Sequence, residues 1–490
     1  MEIDKFKKKK WNITIDSFGG FCPAWFENAY PFYGNKNQAA DMTNADLTDP
    51  NVLKPGPDVA NLTNGDQIGA IATLIKGILR TATVNDVTYA CGGNKYYKLS
   101  STSVVNSGGT YPHTIDKAVV TGEDADGIVF YKSKVYVFYN DSSTYGDIMQ
   151  DDGGTINDVW GSTVPTGMGI LFGGPHQAIN GGDDDCYFTN GYYVGAIRSS
   201  GTLELQALNF WVDAQTVSLT WNNNRVLVAV NRPNIAGSNF SESGIYTWNG
   251  VSSSWEGDPV EVSGKIGALY TKNGVTFCWW QDSTDTGAYN FGYVGSGVIH
   301  PLKKFKGSLP LFYQVGEYKG FVAWVSGGLI YLWGSKDPDV PVVFFQYVQG
   351  KYSTIGGIAS PFGDLLIASN SGSNYSLAKP SGYVTNFTWN TKAFKISSIG
   401  TLALMDLIEV ETEPLTAGAK ANFTLTYDKG KSTLTLDSIT YSASTNYTKF
   451  KIMSKGPEIE DFRIDITNVG ATAPVKIRSI SIEGYAIKKD

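Results

Sequence analysis

Charge is scarce in this chain: only 17% of its 490 residues are Asp, Glu, Lys or Arg. Histidine occurs at three positions and cysteine at four. No stretch of 18 apolar residues is present, so no membrane-spanning helix is expected. The net charge of −7 leaves the chain without the basic footprint of a nucleic-acid binder. Lys5 and Lys7 to Lys10 form a basic run, but the alternating Trp11-Asn12-Ile13-Thr14-Ile15 follows where a signal peptide would place an apolar core. The run reads as a solvated tail.

The few reactive residues do not converge in sequence. His113, His176 and His300 each adjoin a proline, and they fall in separate repeats, so no histidine metal site is expected. Cys22, Cys91, Cys186 and Cys278 form no CxxC pair and no zinc spacing. They read as buried thiols formed in a reducing compartment. Asp183-Asp184-Asp185 lacks the alternation of a calcium loop, and no bidentate Glu follows Asp147, Asp151 and Asp152. No P-loop, dinucleotide fingerprint, nucleophile elbow or sialidase-type Asp box occurs. No cofactor is expected, and the chain reads as not being an enzyme.

What is abundant is glycine (55) and aromatic residues (28 Tyr, 24 Phe, 12 Trp), the profile of short strands joined by tight turns. One pattern recurs: an apolar strand, a Gly/Asn turn, then an aromatic-rich strand. Its first copy is Val87 to Cys91, Gly92 to Lys95, Tyr96 to Leu99. Later copies begin near Lys134, Cys186, Arg225, Val275, Phe321 and Leu365, 39 to 52 residues apart, close to the propeller period of roughly 40–50. Small-residue openings stand ahead of several copies: Gly69-Ala70-Ile71-Ala72, Gly167 to Ile170, Gly264 to Ala268 and Gly356 to Ala359. They suit innermost strands at a crowded axis, with Ile68 to Ile75 as the first. The fold class expected is therefore all-β: an extended N-terminal arm (1–66), a seven-bladed β-propeller (67–390) and a C-terminal antiparallel β-sandwich (391–490).

The arm is aromatic but broken by Pro and Gly, so it should dock on a surface, its own or a neighbour's. Trp11, Trp25, Phe26 and Tyr33 are its candidate subunit contacts. In the last 100 residues Asn422 to Tyr427 and Arg463 to Ile466 alternate apolar and polar. The apolar phase slips between Ile477 and Ile480, which predicts a bulge near Arg478 or Ser479. Among the tryptophans, Trp280 and Trp333 are candidate stacking platforms for a sugar ring. The alternative is that large aromatics such as Trp248, Trp255, Trp279 and Trp324 fill the space between blades.

The segment Asp41 to Pro57 and the stretch from Ile75 to Asn94 resemble openings of structural proteins of tailed bacteriophages. The ending Val475 to Gly484 is similar to the last strand of sandwich modules in phage tail and nozzle components. The resemblance implies a virion protein of the tail, made in the host cytoplasm. Its propeller would be a rigid scaffold, and its arm and sandwich would contact other tail or connector proteins and copies of itself in a cyclic ring. A host receptor or surface glycan is the alternative partner, and a propeller glycosidase a further alternative.

Overall fold

In a computed structural model the described residues are 9–21, 37–62, 71, 73–80, 87–99, 110–115, 123–141, 144–161, 169–233, 241–334, 343–349, 353–361, 363–371, 374–384, 386–395, 401–443, 448–468 and 472–488. Among them the only helical element is one short 3-10 turn, Phe312–Gln314. No helix among them is long and apolar enough to cross a membrane.

Each repeat folds as an antiparallel meander. Sheet I contains Gly77–Arg80, Thr88–Gly92, Lys95–Leu99 and His113–Thr114. Sheet II begins with Asp124–Tyr131, Lys134–Asn140 and Tyr145–Asp151. Sheets III, IV and V open on Ala178–Asn180, Gln215–Asn222 and Lys265–Lys272. Sheets VI and VII open on Val315–Tyr318 and Thr354–Ala359. Second strands start at Thr88, Lys134, Cys186, Arg225, Val275, Phe321 and Leu366, so every hairpin falls within a residue or so of the position its spacing predicts. In sheets II, IV, V and VI two-residue turns link the first strand to the second, with positive φ at Lys132-Ser133, Asn223-Asn224, Asn273-Gly274 and Lys319-Gly320. That backbone matches the twist of the strands it joins.

The first strands of successive sheets are neighbours, and sheet VII returns to meet sheet I. The circuit is a β-propeller arrangement. Its first described strand is Gly77–Arg80; of the expected Ile68 to Ile75, residues 68–70 and 72 lie outside the described residues, and 71 and 73–75 are not in a strand. In sheets II, IV, V and VII the register between first and second strand slips near the start of the first strand, at Ala125/Gly127, Thr216/Ser218, Ile266/Ala268 and Ile355/Ile358. These bulges bend the innermost strand and raise its twist. They also bring backbones together. A Cβ on Gly127 would overlap the carbonyl oxygen of His176, and one on Gly357 that of Lys76. At these two positions the small residue serves the approach of the next sheet.

Two larger sheets follow. Sheet VIII orders Lys9–Ile15, Ile477–Lys488, Thr401–Thr412 and Lys449–Ser454. Sheet IX orders Ala39–Thr43, Thr388–Thr391, Asp461–Thr467, Lys420–Tyr427 and Ser432–Thr435. Ile408, Val410, Ile480 and Ile482 from VIII share one apolar cluster with Phe423, Leu425, Ile464 and Ile466 from IX. The expected bulge is present: Glu411 faces Ser479 and Thr412 faces Ile477, leaving Arg478 unpaired in the register.

The N-terminal segment differs from the extended arm expected. It supplies strands to three sheets of its own chain. Lys9–Ile15 edges sheet VIII, Ala39–Thr43 edges sheet IX, and Asp58–Asn61 is the outermost strand of sheet VII, paired with Asn374–Ser381. Phe18 meets Trp389 edge-on at 5.3 Å, and Leu53 and Ile477 exchange two backbone hydrogen bonds of 2.9 Å. Phe18, Met42, Leu47 and Leu53 are buried in the cluster that also holds Phe321, Leu332 and Phe345 of sheet VI. Ring and C-terminal sheets therefore share one continuous core.

Candidate functional site

Polar contacts join each sheet to the next around the ring, most of them at or just before the first strands. Between I and II, Lys76 Nζ lies 2.5 Å from Asp124 Oδ2. Between II and III, the His176 backbone N–H donates to Asp126 Oδ1 at 3.3 Å. Gln177 Oε1 accepts from Ser218 Oγ and Leu219 N, both at 2.7 Å, joining III to IV. The Asn231 amide brackets the Ile266 peptide with two 2.8 Å bonds, joining IV to V. Trp324 Nε1 donates to Tyr289 OH at 2.8 Å between V and VI. Gln314 Nε2 reaches Ile355 O at 2.8 Å between VI and VII, and Gly357 N reaches Ile75 O at 2.9 Å between VII and I.

Within this belt the bulge at residue 126 turns a carboxyl inward. Asp126 is buried, and burial pushes its pKa up to about 8, with Lys76 opposing and Asp124 adding to the shift. Asp124, two residues away, is paired and half-exposed. Tyr313, in the short turn before sheet VI, has its hydroxyl pushed up to about 12 by burial and then by Asp126 and Asp124. A carboxyl held protonated near neutral pH, a lysine-paired carboxyl and a phenol thus share one end of the axis, an arrangement typical of functional sites and also of structural networks. No sequence motif pointed to it, because Tyr313 is remote in sequence from Asp124 and Asp126. A cavity of about 640 Å³ lies where sheets VI, VII and I meet, lined by Ile78, Val315, Glu317, Lys319, Ile358 and Ser360.

At the junction of sheets III and IV the loop Phe210 to Ala214 presents an aromatic cluster to solvent. Phe210 stacks on Trp255 (5.4 Å, 6°), and Tyr246 meets Trp255 edge-on at 5.1 Å. Trp211 lies 5.5 Å from Trp255 and remains 37% exposed. The Arg232 guanidinium sits 4.8 Å from the Trp211 ring centre and pairs with Asp213 at 3.2 Å. Sequence reasoning named Trp255 but missed Trp211, because exposure of a loop tryptophan leaves no periodic signal.

The residues singled out from sequence are placed as follows. Trp280 is only 9% exposed and packs with Val217, Ile266 and Cys278 between sheets IV and V. Trp333 packs edge-on against Phe277 at 4.7 Å and Phe291 at 5.8 Å. The expectation of an open stacking face is corrected for Trp280, whose ring fills the space between sheets; Trp333 is half-buried at the edge of its cluster. Trp248, Trp279 and Trp324 are fully buried. Trp11 lies in its own chain's sheet VIII, its ring 6.2 Å from Phe462, so as a candidate subunit contact it is already engaged within the chain. Trp25, Phe26 and Tyr33 lie outside the described residues.

The histidines are far apart in role. His113 Nε2 pairs with Asp158 at 2.7 Å, and His300 stacks on Tyr293 at 4.8 Å. His176 is fully buried against Thr189 O and Asn140, and burial pushes its pKa down to about 4. Cys91, Cys186 and Cys278 are buried free thiols, each with its pKa pushed up by burial. Asp151 holds a buried junction: Oδ2 accepts from Tyr96 OH at 2.9 Å and Tyr111 OH at 2.7 Å, and Oδ1 from Gly153 N at 2.8 Å. Asp152 caps its turn through Gly154 N and Thr155 N. Asp183 and Asp185 are likewise engaged, by Tyr187 and Arg198.

No family model matches the chain, and no curated protein matches it in sequence. Among solved structures it is similar to the extracellular domain of BT4673 from B. thetaiotaomicron, with a TM-score of 0.44 and 11% identity over 72% of this chain. The chain spans 43% of the length of that protein. It is also similar to the exo-β-1,3-galactanase of Phanerochaete chrysosporium (TM-score 0.31, 10% identity, 88% of this chain and 99% of that one). A third is the α-L-arabinanase of Cellvibrio cellulosa (TM-score 0.27, 10% identity, 47% and 96%). Two of these three are glycosidases, and the expectation that the chain is not an enzyme is withdrawn on that finding. Its basis was the lack of a contiguous motif, yet in an all-β ring groups distant in sequence converge, as Asp124 and Asp126 of one strand do with Tyr313 of a remote turn. Likenesses of this size assign no activity to the chain.

Proposed function

We propose that this chain is a structural subunit of a tailed-bacteriophage tail, contacting tail or connector proteins and copies of itself within the virion. In this reading the circuit of sheets I to VII is a seven-bladed propeller whose last blade is completed by Asp58–Asn61. Sheets VIII and IX form a β-sandwich fixed to it. The observation that supports the reading is the course of residues 9–21 and 37–61, which supply strands to sheets VII, VIII and IX and bury Phe18, Met42 and Leu53. A ring and a sandwich joined by one core form a rigid spacer, and the resemblance in Asp41 to Pro57 and Val475 to Gly484 supports a tail as its setting. Cyclic assemblies close when identical heterologous contacts repeat around an axis. Light scattering and negative-stain images of the purified chain test this: a closed ring of copies is expected. A chain that stays monomeric when concentrated and contributes no density to purified particles overturns it.

A further inference from the structure

We propose that the junction of sheets III and IV, centred on Trp211, binds a pyranose ring of a neutral carbohydrate. The proposal is independent of the assembly reading and concerns a surface that reading does not use. Its first support is the indole itself. Trp211 is the most exposed tryptophan among the described large hydrophobics, at 37%, and its neighbour Val212 is 81% exposed. The Arg232 guanidinium covers part of the ring at 4.8 Å from its centre, and the axial C–H groups of a sugar pack on the exposed remainder of such a surface.

The second support is rigidity. Phe210, Tyr246 and Trp255 hold the indole from its other sides at 5.5 to 6.3 Å. The loop is pinned by Phe210 N to Tyr192 O at 3.0 Å and Ala214 N to Trp211 O at 2.8 Å. A ring already fixed in place loses little entropy on binding.

The third support is the polar rim, which selects the ligand. Arg232 Nε lies 3.2 Å from Asp213 Oδ2, and both side chains keep partial exposure (24% and 41%). Their charges cancel, so neither an anion nor a cation gains from the site. Their unused donors and lone pairs match the paired donors and acceptors of vicinal hydroxyls. A protein partner is disfavoured by size: a third of one tryptophan and one valine fall far short of the roughly 800 Å² per side of a stable protein interface. A single-ring contact should be weak, with Kd on the order of 1 mM for one unit.

The test titrates the full chain, by NMR or calorimetry, with manno-, gluco- and galacto-hexaoses and with an oligogalacturonate as the charged control. The expected result is binding of at least one neutral hexaose, weakened about tenfold or more by Trp211→Ala and partly restored by Trp211→Tyr. Trp280→Phe should bind as the wild type, because that ring is buried between sheets. The proposal is overturned if no neutral hexaose binds, if only the charged oligomer binds, or if Trp211→Ala binds like the wild type. Should Trp211→Ala misfold, Asp213→Ala decides: unchanged affinity in that folded variant overturns the assignment.

Discussion

Asp126 occupies the extra position of a bulge, where the strand turns one side chain out of register and into the wall of the ring. Its carboxyl is harder to ionise in the folded chain (about 8) than in the unfolded one (about 3.9). The folded state therefore holds the proton more tightly. The stabilisation is complete below about pH 4 and is lost as pH rises through 8. His176, pushed down to about 4, acts in the opposite sense: its contribution is present above about 6.5 and is lost as pH falls through 4. The difference between two melting curves separates them. Asp126→Asn, which can still accept from His176 N, should show a flatter Tm between pH 5 and 8 than the wild type. Parallel profiles for the two proteins would refute the buried, protonated carboxyl. A second residue-scale test concerns Asp151. Tyr111→Phe removes one of the two hydroxyls on its buried Oδ2 and should cost about 1–3 kcal/mol, read from the shift in denaturant midpoint at unchanged slope. A loss within error would mean that solvent already serves that oxygen.

At the scale of elements, the hairpins were legible because their signals are local. A turn such as Asn273-Gly274 and an aromatic strand such as Val275 to Gln281 lie within ten residues of each other. The bulge at Arg478 was legible for the same reason, as a slip in apolar phase. The strands of residues 9–61 were not, since Asp58–Asn61 finds its partner at Asn374–Ser381 and nothing near Asp58 announces it. The buried state of Trp280 was also hidden. Alternation tells which face of a strand is apolar, but between sheets of a ring both faces are covered, and aromatic content alone does not separate packing from display. The axial group of Asp126, Asp124 and Tyr313 escaped because one strand of sheet II and a remote turn before sheet VI assemble it. The closing contact offers a direct test. Gly357→Ala would force a methyl onto the Lys76 carbonyl beside the Gly357 N to Ile75 O bond, so a loss of about 1–3 kcal/mol is expected. Unchanged stability would show that sheets VII and I are not held this closely.

At the scale of the whole molecule, the cluster running from Leu332 and Phe345 through Leu53 and Trp389 to Ile464 and Ile480 leaves no seam between ring and C-terminal sheets. The two should not unfold apart. Calorimetry is expected to give a single transition at neutral pH, with calorimetric and van't Hoff enthalpies in agreement. Two resolved transitions would show that the shared core is energetically weak. Deleting residues 1–62 should abolish the single transition even though most of the ring's residues remain, because it removes edge strands from three sheets at once.

The same weave sets a timetable for biosynthesis. Lys9–Ile15 is synthesised well before its partner Ile477–Lys488. Asp58–Asn61 must likewise wait for residue 381. Until those residues are made these β-prone segments have no native partner, and pairing across such a distance is slow. The nascent chain is therefore exposed to premature self-association over that interval, and sheet VIII closes only once Ile477–Lys488 has been made.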